Sequence, residues 1–287
     1  MSTVSRRESL VSLAAGSLFA LPAPGGTLPT ESVDVAKLPI HDPVFNVRIL
    51  GRLQGDLSGK PVFAYRQGRV FGLEPGNGPS LSAYGRLLYR TEGCTVRRAR
   101  LRKDDAIEER TRNWLFYKDV RTGAYLDSYL NPYTLERVPV PTFRAGITGG
   151  VIGTRGPELI ANFPMESTVF DTPLLLDWHF VGDRAWIHRQ AFTRWQESSS
   201  GAFRTEMTLD CWVCRAADVA DGGLGHIPNA YSWTSQTQWQ SWLKMDNHPG
   251  AMLWRHDGIV VSSVDELPVE FVTRSRTSLP EPFDTAL

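Results

Sequence analysis

Turn-forming residue pairs interrupt this chain at short, fairly even intervals, and that spacing restricts it to folds built from many short strands. Thr122-Gly123, Asn131-Pro132 and Gly182-Asp183 each separate runs rich in Val, Phe, Tyr and Trp. "PVFAYRQGRVFGL" (61–73) carries Gln67-Gly68 between two apolar runs, and "AMLWRHDGIVVSS" carries Asp257-Gly258. Such signals recur roughly every 8–15 residues, the rhythm of hairpins stacked side by side. The expected class is all-β and mainly antiparallel, barrel-like or a sandwich. Helical periodicity is rare. Its best example is "SQTQWQSWLKM" (235–245), where Trp239, Trp242 and Leu243 share a face, so a short Trp-bearing helix is expected there. Residues 144–172, rich in Gly and Pro, are expected to form a long loop over one end of the sheet.

The chain has 287 residues, 41% of them hydrophobic, which suffices for a sizeable core. Thirty-one basic residues balance thirty-one acidic ones, so no global field favours nucleic acid. Neither a repeat nor a compositional break follows residue 40, and a single β-rich domain over 41–287 is the simplest organisation. Residues 24–40, punctuated by Pro and Gly, read as a linker. Residues 1–23 read as an export signal: Arg6-Arg7 precede a weakly apolar stretch, Leu10 to Ala23, shorter than the ~20 residues of a membrane span. The paired arginines resemble the twin-arginine signal, although Ser9 stands where that signal usually has a bulky apolar residue. A periplasmic or secreted protein is expected, carried folded by the twin-arginine export machinery and without stable membrane insertion after cleavage. The Cys211 and Cys214 thiols in "CWVC" lie within an alternating, strand-like segment and so point to opposite faces. That excludes a bridge between them.

"LLLDWHFVGDRAWIHRQ" (174–190) is the most chemically suggestive stretch. With Gly182-Asp183 as a two-residue turn, Val181 faces Arg184, Asp177 lies opposite His188, and His179 lies opposite Trp186. Leu176, Trp178, Phe180, Ala185 and Ile187 then form a core stripe, and the other face holds one carboxylate and two imidazoles. Three readings follow. His188 could be a general base oriented by Asp177, with His179 beside it. The same three residues could bind Fe(II) or Zn(II). Or the face could simply be solvated. Both reactive readings require a sheltered hollow.

In "VRRARLRKDDAIEERTR" the acids follow the arginines at once, so a hairpin would pair them across strands as an ionic ladder. Were Arg98, Arg100 and Arg102 to face inward instead, they could hold a carboxylate-bearing ligand. Trp233, Trp239, Trp242 and Trp254 crowd into 231–258, as core or as an aromatic pocket wall. The chain has no G-x-S-x-G elbow, P-loop, dinucleotide G-x-G-x-x-G or H-E-x-x-H motif.

Three stretches together carry a family resemblance: "GKPVFAYRQGRVFGLEPG", "NWLFYKDVRTGAYLDSYLNPYTLERVPVP" and "SWTSQTQWQSWLKMDNHPGAMLWRHDG". They resemble a bacterial and fungal family catalogued as domain of unknown function number eighteen thirty-eight, across roughly residues 41 to 275. The chain departs from the family pattern at Leu135, where the resemblance implies a glycine after "NPYT". The resemblance implies one continuous domain and no particular chemistry. The functional expectation is a pocket for a small hydrophobic or aromatic molecule, walled by Trp186, Trp239 and Trp242. Lyase or isomerase chemistry without a cofactor would then rest on His188, Asp177 and His179. A metal-dependent enzyme and a non-catalytic envelope interaction protein are the alternatives.

Overall fold

The structure, a computed structural model, describes residues 34–74, 85–160, 165–167, 173–196 and 203–287. The expected export signal and most of the expected linker lie outside the described residues. In chain order the elements are α1 (Pro43–Gln54), β1 (Val62–Leu73), β2 (Arg86–Leu101), β3 (Ile107–Lys118), β4 (Ser128–Leu130) and β5 (Arg137–Pro139). There follow β6 (Phe143–Gly153), β7 (Gly156–Ile160), β8 (Met165–Ser167), β9 (Asp177–Val181), β10 (Arg184–Gln196) and β11 (Phe203–Arg215). The last are α2 (Ala216–Ala220), β12 (Ala230–Thr237), β13 (Ala251–Val261) and α3 (Val269–Ser278).

The class is the expected one. Eleven strands form one sheet in the order β7-β6-β3-β2-β1-β13-β12-β11-β10-β8, with β9 pairing the other half of β10. The described pairings are antiparallel, and β4-β5 is a separate hairpin. Among the described residues the sheet does not close: β7 and β8, at its two ends, share no ladder. That corrects the barrel-like half of the expectation, since a barrel requires its first and last strands to be hydrogen-bonded. The sheet is nevertheless strongly curved, because residues of β3 and β10, far apart in strand order, border the same hollow.

Two expected turns are not turns. Gln67-Gly68 lies within β1, and Asp257-Gly258 lies within β13, with Gln67 opposite Asp257. Each glycine instead makes room for a neighbour's ring. A Cβ at Gly68 would strike the His256 ring, and one at Gly258 would strike Tyr231. Glycine inside a strand marks this kind of close approach as readily as it marks a turn. The stretch 144–172 is corrected as well: its described part contains β6, β7 and β8 rather than a long loop. The expected helix over 235–245 shrinks to a single 3-10 turn, Ser241–Leu243, because β12 continues to Thr237. By contrast, Gly123 and Gly182 have φ of 74° and 61° and do form turns.

Each end of the hollow is stopped by apolar packing. At one end α1 inserts Val47, Leu50 and Leu53 among Ile107, Ala185, Ile187 and Trp212. Asp42 caps this helix by accepting from the Val44 amide, and Pro43 opens it. Buried Asn46 then ties the helix to the sheet: its Oδ1 accepts from the Leu176 amide and Trp178 Nε1. At the other end the 3-10 turn packs Trp242 and Leu243 on Tyr89, Tyr117, Met252 and Trp254. The outer face of β1–β3 is covered by α3, where Phe271 stacks on Trp114 at 6.2 Å and Ser275 accepts from the Trp114 indole. Neither α1 nor α3 was expected. Among the described residues no helix is long and apolar enough to cross a membrane.

Candidate functional site

The β9–β10 hairpin has the register read from the sequence: Arg184 faces Val181, Trp186 faces His179 and His188 faces Asp177. Ala185 and Ile187 are fully buried, as the core stripe requires. The opposite face looks outward. The Asp177 and His179 side chains are 73% and 60% exposed, and they touch each other at 3.3 Å. His188 stands edge-on to His179, 5.5 Å between ring centres, with Cys211 Sγ 3.9 Å from its Nε2. Trp186 is 42% exposed. The three polar residues expected to be catalytic, and Trp186 expected as a wall, therefore sit on the convex surface. One residue of alternation separates this face from the inner one, and the helix packed inside selected the apolar face. Among the described residues no three or more His, Cys, Asp or Glu side chains are grouped so as to hold a metal ion, so the metal alternative at Asp177, His179 and His188 is not carried forward. The three cysteines are free, and Cys211 and Cys214 do occupy opposite faces, one half-buried and one buried.

The sheltered space lies on the other side of the same sheet. A hollow of about 910 Å³ is lined by Trp233, Trp239, Trp242 and Trp254 together with Leu115 and Tyr117. A smaller space of about 320 Å³ adjoins it toward α1. Arg66, Asn113, Glu206 and Trp233 line both. Of the expected aromatic walls, Trp239 and Trp242 are here. Hydrogen bonds fix their rings: Trp239 Nε1 donates to the His248 carbonyl at 3.0 Å, and Trp254 Nε1 donates to Thr237 Oγ1 at 3.0 Å. Gln240 Oε1 accepts from Trp242 Nε1 at 2.6 Å and from the Tyr117 hydroxyl at 3.1 Å. Burial pushes the Tyr117 phenol up to about 12, so it stays a neutral donor.

His256 is the most unusual group in the wall. It is 2% exposed, stands 4.7 Å from Trp233 and stacks on Trp254 at 6.0 Å. Its ring crosses β1 over Gly68, and its Nε2 reaches Thr91 Oγ1 of β2 at 2.8 Å. The Cγ–Cδ2 edge rests on the glycine. Nδ1 is buried and has no protein partner. Desolvation first, and the nearby Arg66 second, hold this imidazole well below its usual pKa. At neutral pH it is uncharged.

Charged groups occupy the middle of the hollow. Arg189 donates to Asp210 through Nε at 2.9 Å and Nη2 at 2.5 Å. Arg97 lies 3.5 Å from Glu109. Arg66 differs: its Nη1 donates to Thr95 at 3.0 Å and its Nη2 to Asn113 Oδ1 at 2.7 Å, with no carboxylate in ion-pair reach among the described residues. On the far wall Glu206 accepts from Ser235 Oγ, and burial raises its carboxyl above the ordinary range. The arrangement offers aromatic surface, a half-buried guanidinium on Arg66 with no carboxylate in ion-pair reach among the described residues, an acid biased toward its protonated form and a neutral imidazole.

Little of this inner face was singled out from the sequence. Trp239 and Trp242 were named as walls, but Arg66, Glu206 and His256 were not. Two glycines in mid-strand, Gly68 and Gly258, held the overlooked signal, because each marks where a ring crosses a neighbouring strand. The arginine ladder did form: Arg100 meets Glu108 at 2.6 Å with its side chain 70% exposed. The inward position is held instead by Arg97, one strand residue out of phase with the residues named.

The sequence profile of a family described as "Protein of unknown function (DUF1838)" matches residues 59–286. No curated protein matches the chain. The matched segment runs from just before β1 to the C-terminus and so takes in every strand that lines the hollow. The chain belongs to the DUF1838 family.

Proposed function

We propose that this is an exported small-molecule-binding protein whose ligand, hydrophobic or aromatic, occupies the hollow enclosed by the curved sheet. The observation that carries this reading is the aromatic wall itself: four tryptophans around about 910 Å³, within the ~300–1,000 Å³ range usual for small-molecule sites. A core would have filled that space. The rings are held by hydrogen bonds rather than by contact with one another alone, so the pocket is pre-formed and binding forfeits little ordering entropy. The test uses 2-naphthalenemethanol, a neutral two-ring probe, and intrinsic tryptophan fluorescence. The expected result is a saturable, one-to-one change that Trp242→Ala weakens by about tenfold or more, the usual effect of deleting a buried tryptophan contact. A linear, unsaturable response, or one untouched by Trp242→Ala, would overturn the reading.

A catalytic version of the same reading transfers the base from His188 to His256. Buried, neutral and with Nδ1 unpartnered, His256 is suited to accept a proton, and Glu206 on the far wall is suited to return one. Incubating arylacetates and aryl ketones with the protein in heavy water would show loss of the proton next to the carbonyl group. A His256→Gln variant exchanging as fast as the parent would remove this version.

A further inference from the structure

We propose that the ligand of the hollow is an aromatic carboxylate, whose anionic group Arg66 receives while the ring lies among the tryptophans; this rests on the hollow being a binding site. Among the described residues three arginines line the smaller space beside the hollow, and two of them have a carboxylate partner: Arg189 has Asp210 and Arg97 has Glu109. A further arginine, Arg144, lines the larger hollow but is exposed. Among the described residues Arg66 has neutral oxygens as partners, from Thr95 and Asn113, with the Tyr231 hydroxyl also in reach. A guanidinium carries five N–H donors, and those three partners leave donors for a ligand. A half-buried cation with hydrogen bonds but no counter-ion is costly to maintain in an empty site and is relieved by an entering anion.

The surrounding groups suit a carboxylate rather than another anion. Asn113 commits its Oδ1 to Arg66, which leaves its amide NH₂ as a second donor lining the hollow. Arg66 and Gly68 are two positions apart on β1, so the guanidinium and the His256 imidazole lying on Gly68 occupy the same face. A planar fork with a flanking neutral amide donor matches a planar two-oxygen group better than a tetrahedral phosphate. The Glu206 carboxyl, biased toward protonation, opposes an incoming anion less than an ordinary glutamate would.

The test compares 2-naphthoate with 2-naphthalenemethanol, nearly the same shape with and without charge, on the full chain at neutral pH. The expected result is naphthoate binding at least about tenfold tighter, the scale of one charge-assisted pair in a sheltered site. Arg66→Met should abolish that preference, bringing the affinities for the two probes within about twofold of each other. Should Arg66→Met fail to fold, Arg66→Lys serves: it keeps the charge but loses the fork, and should cut the preference for naphthoate over the alcohol by about three- to tenfold. Equal affinity for the two probes, or a preference that survives substitution of Arg66, would overturn the carboxylate assignment and leave the binding reading intact. Failure of both probes to saturate would instead defeat the binding reading, and this inference with it.

Discussion

Leu135 adopts φ of 59° in the turn between β4 and β5, a left-handed conformation that a side chain makes costly, and its side chain is 76% exposed. The turn holds because Asn131 over-determines it: its carbonyl accepts from the Leu135 amide, its Oδ1 from the Tyr133 amide, and its Nδ2 donates to the Leu243 carbonyl. Leu135→Gly should therefore stabilise the protein by about 0.5–1 kcal/mol, read as a higher midpoint in urea at unchanged slope. The sequence showed the departure from the family pattern at this residue but not its backbone conformation. His256 supports a second prediction. Its pKa is lowered on folding, so between the native value and the usual 6.5 the unfolded chain binds a proton that the native protein does not. Its contribution is fully present above pH 6.5 and is lost as pH falls below it, with a slope approaching about 1.4 kcal/mol per pH unit. Comparing urea midpoints of the parent and His256→Gln between pH 7.5 and 5 checks this: the parent should lose more stability on acidification than the variant. Parallel losses would show that His256 does not titrate as argued.

At the scale of elements, alternation made the strands legible and glycine misled. The 174–190 hairpin could be read to the exact residue pair because a glycine-aspartate turn fixes register and the apolar stripe fixes phase. Which face points inward is decided by what packs against it, here α1, and a strand pattern contains no information about that partner. Gly68 and Gly258 looked like turns because local sequence does not distinguish a reversal of the chain from a ring passing overhead. Gly68→Ala should be destabilising by about 2 kcal/mol or more, since the added methyl would overlap both the His256 ring and the Arg255 carbonyl. The same change at Gly146, where nothing lies within reach of an added Cβ, should cost far less. Thermal midpoints of the two variants side by side measure the difference. The helices were missed for a related reason: α1 and α3 each present a modest apolar face that gains meaning only against the sheet it covers.

At the scale of the whole molecule, a curved open sheet with one stopper at each end creates two very different faces. The convex face carries Asp177, His179, His188 and Trp186 in contact with water, and the concave face gathers Arg66, Glu206, His256 and four tryptophans. No local reading could bring those inner residues together, because they come from strands spread over nearly the whole chain. The proposed export belongs to this scale too. Arg6→Lys combined with Arg7→Lys should leave uncleaved protein inside the producing cell, measured by fractionation and intact mass. Mature protein outside the cytoplasm in that variant would count against the twin-arginine route. The most direct test of the account is a crystal structure of the protein with 2-naphthoate. It should show the ring between Trp233 and Trp242 with the carboxylate on Arg66. A probe seated only on the convex face, against the exposed Trp186 beside His179, would contradict the account.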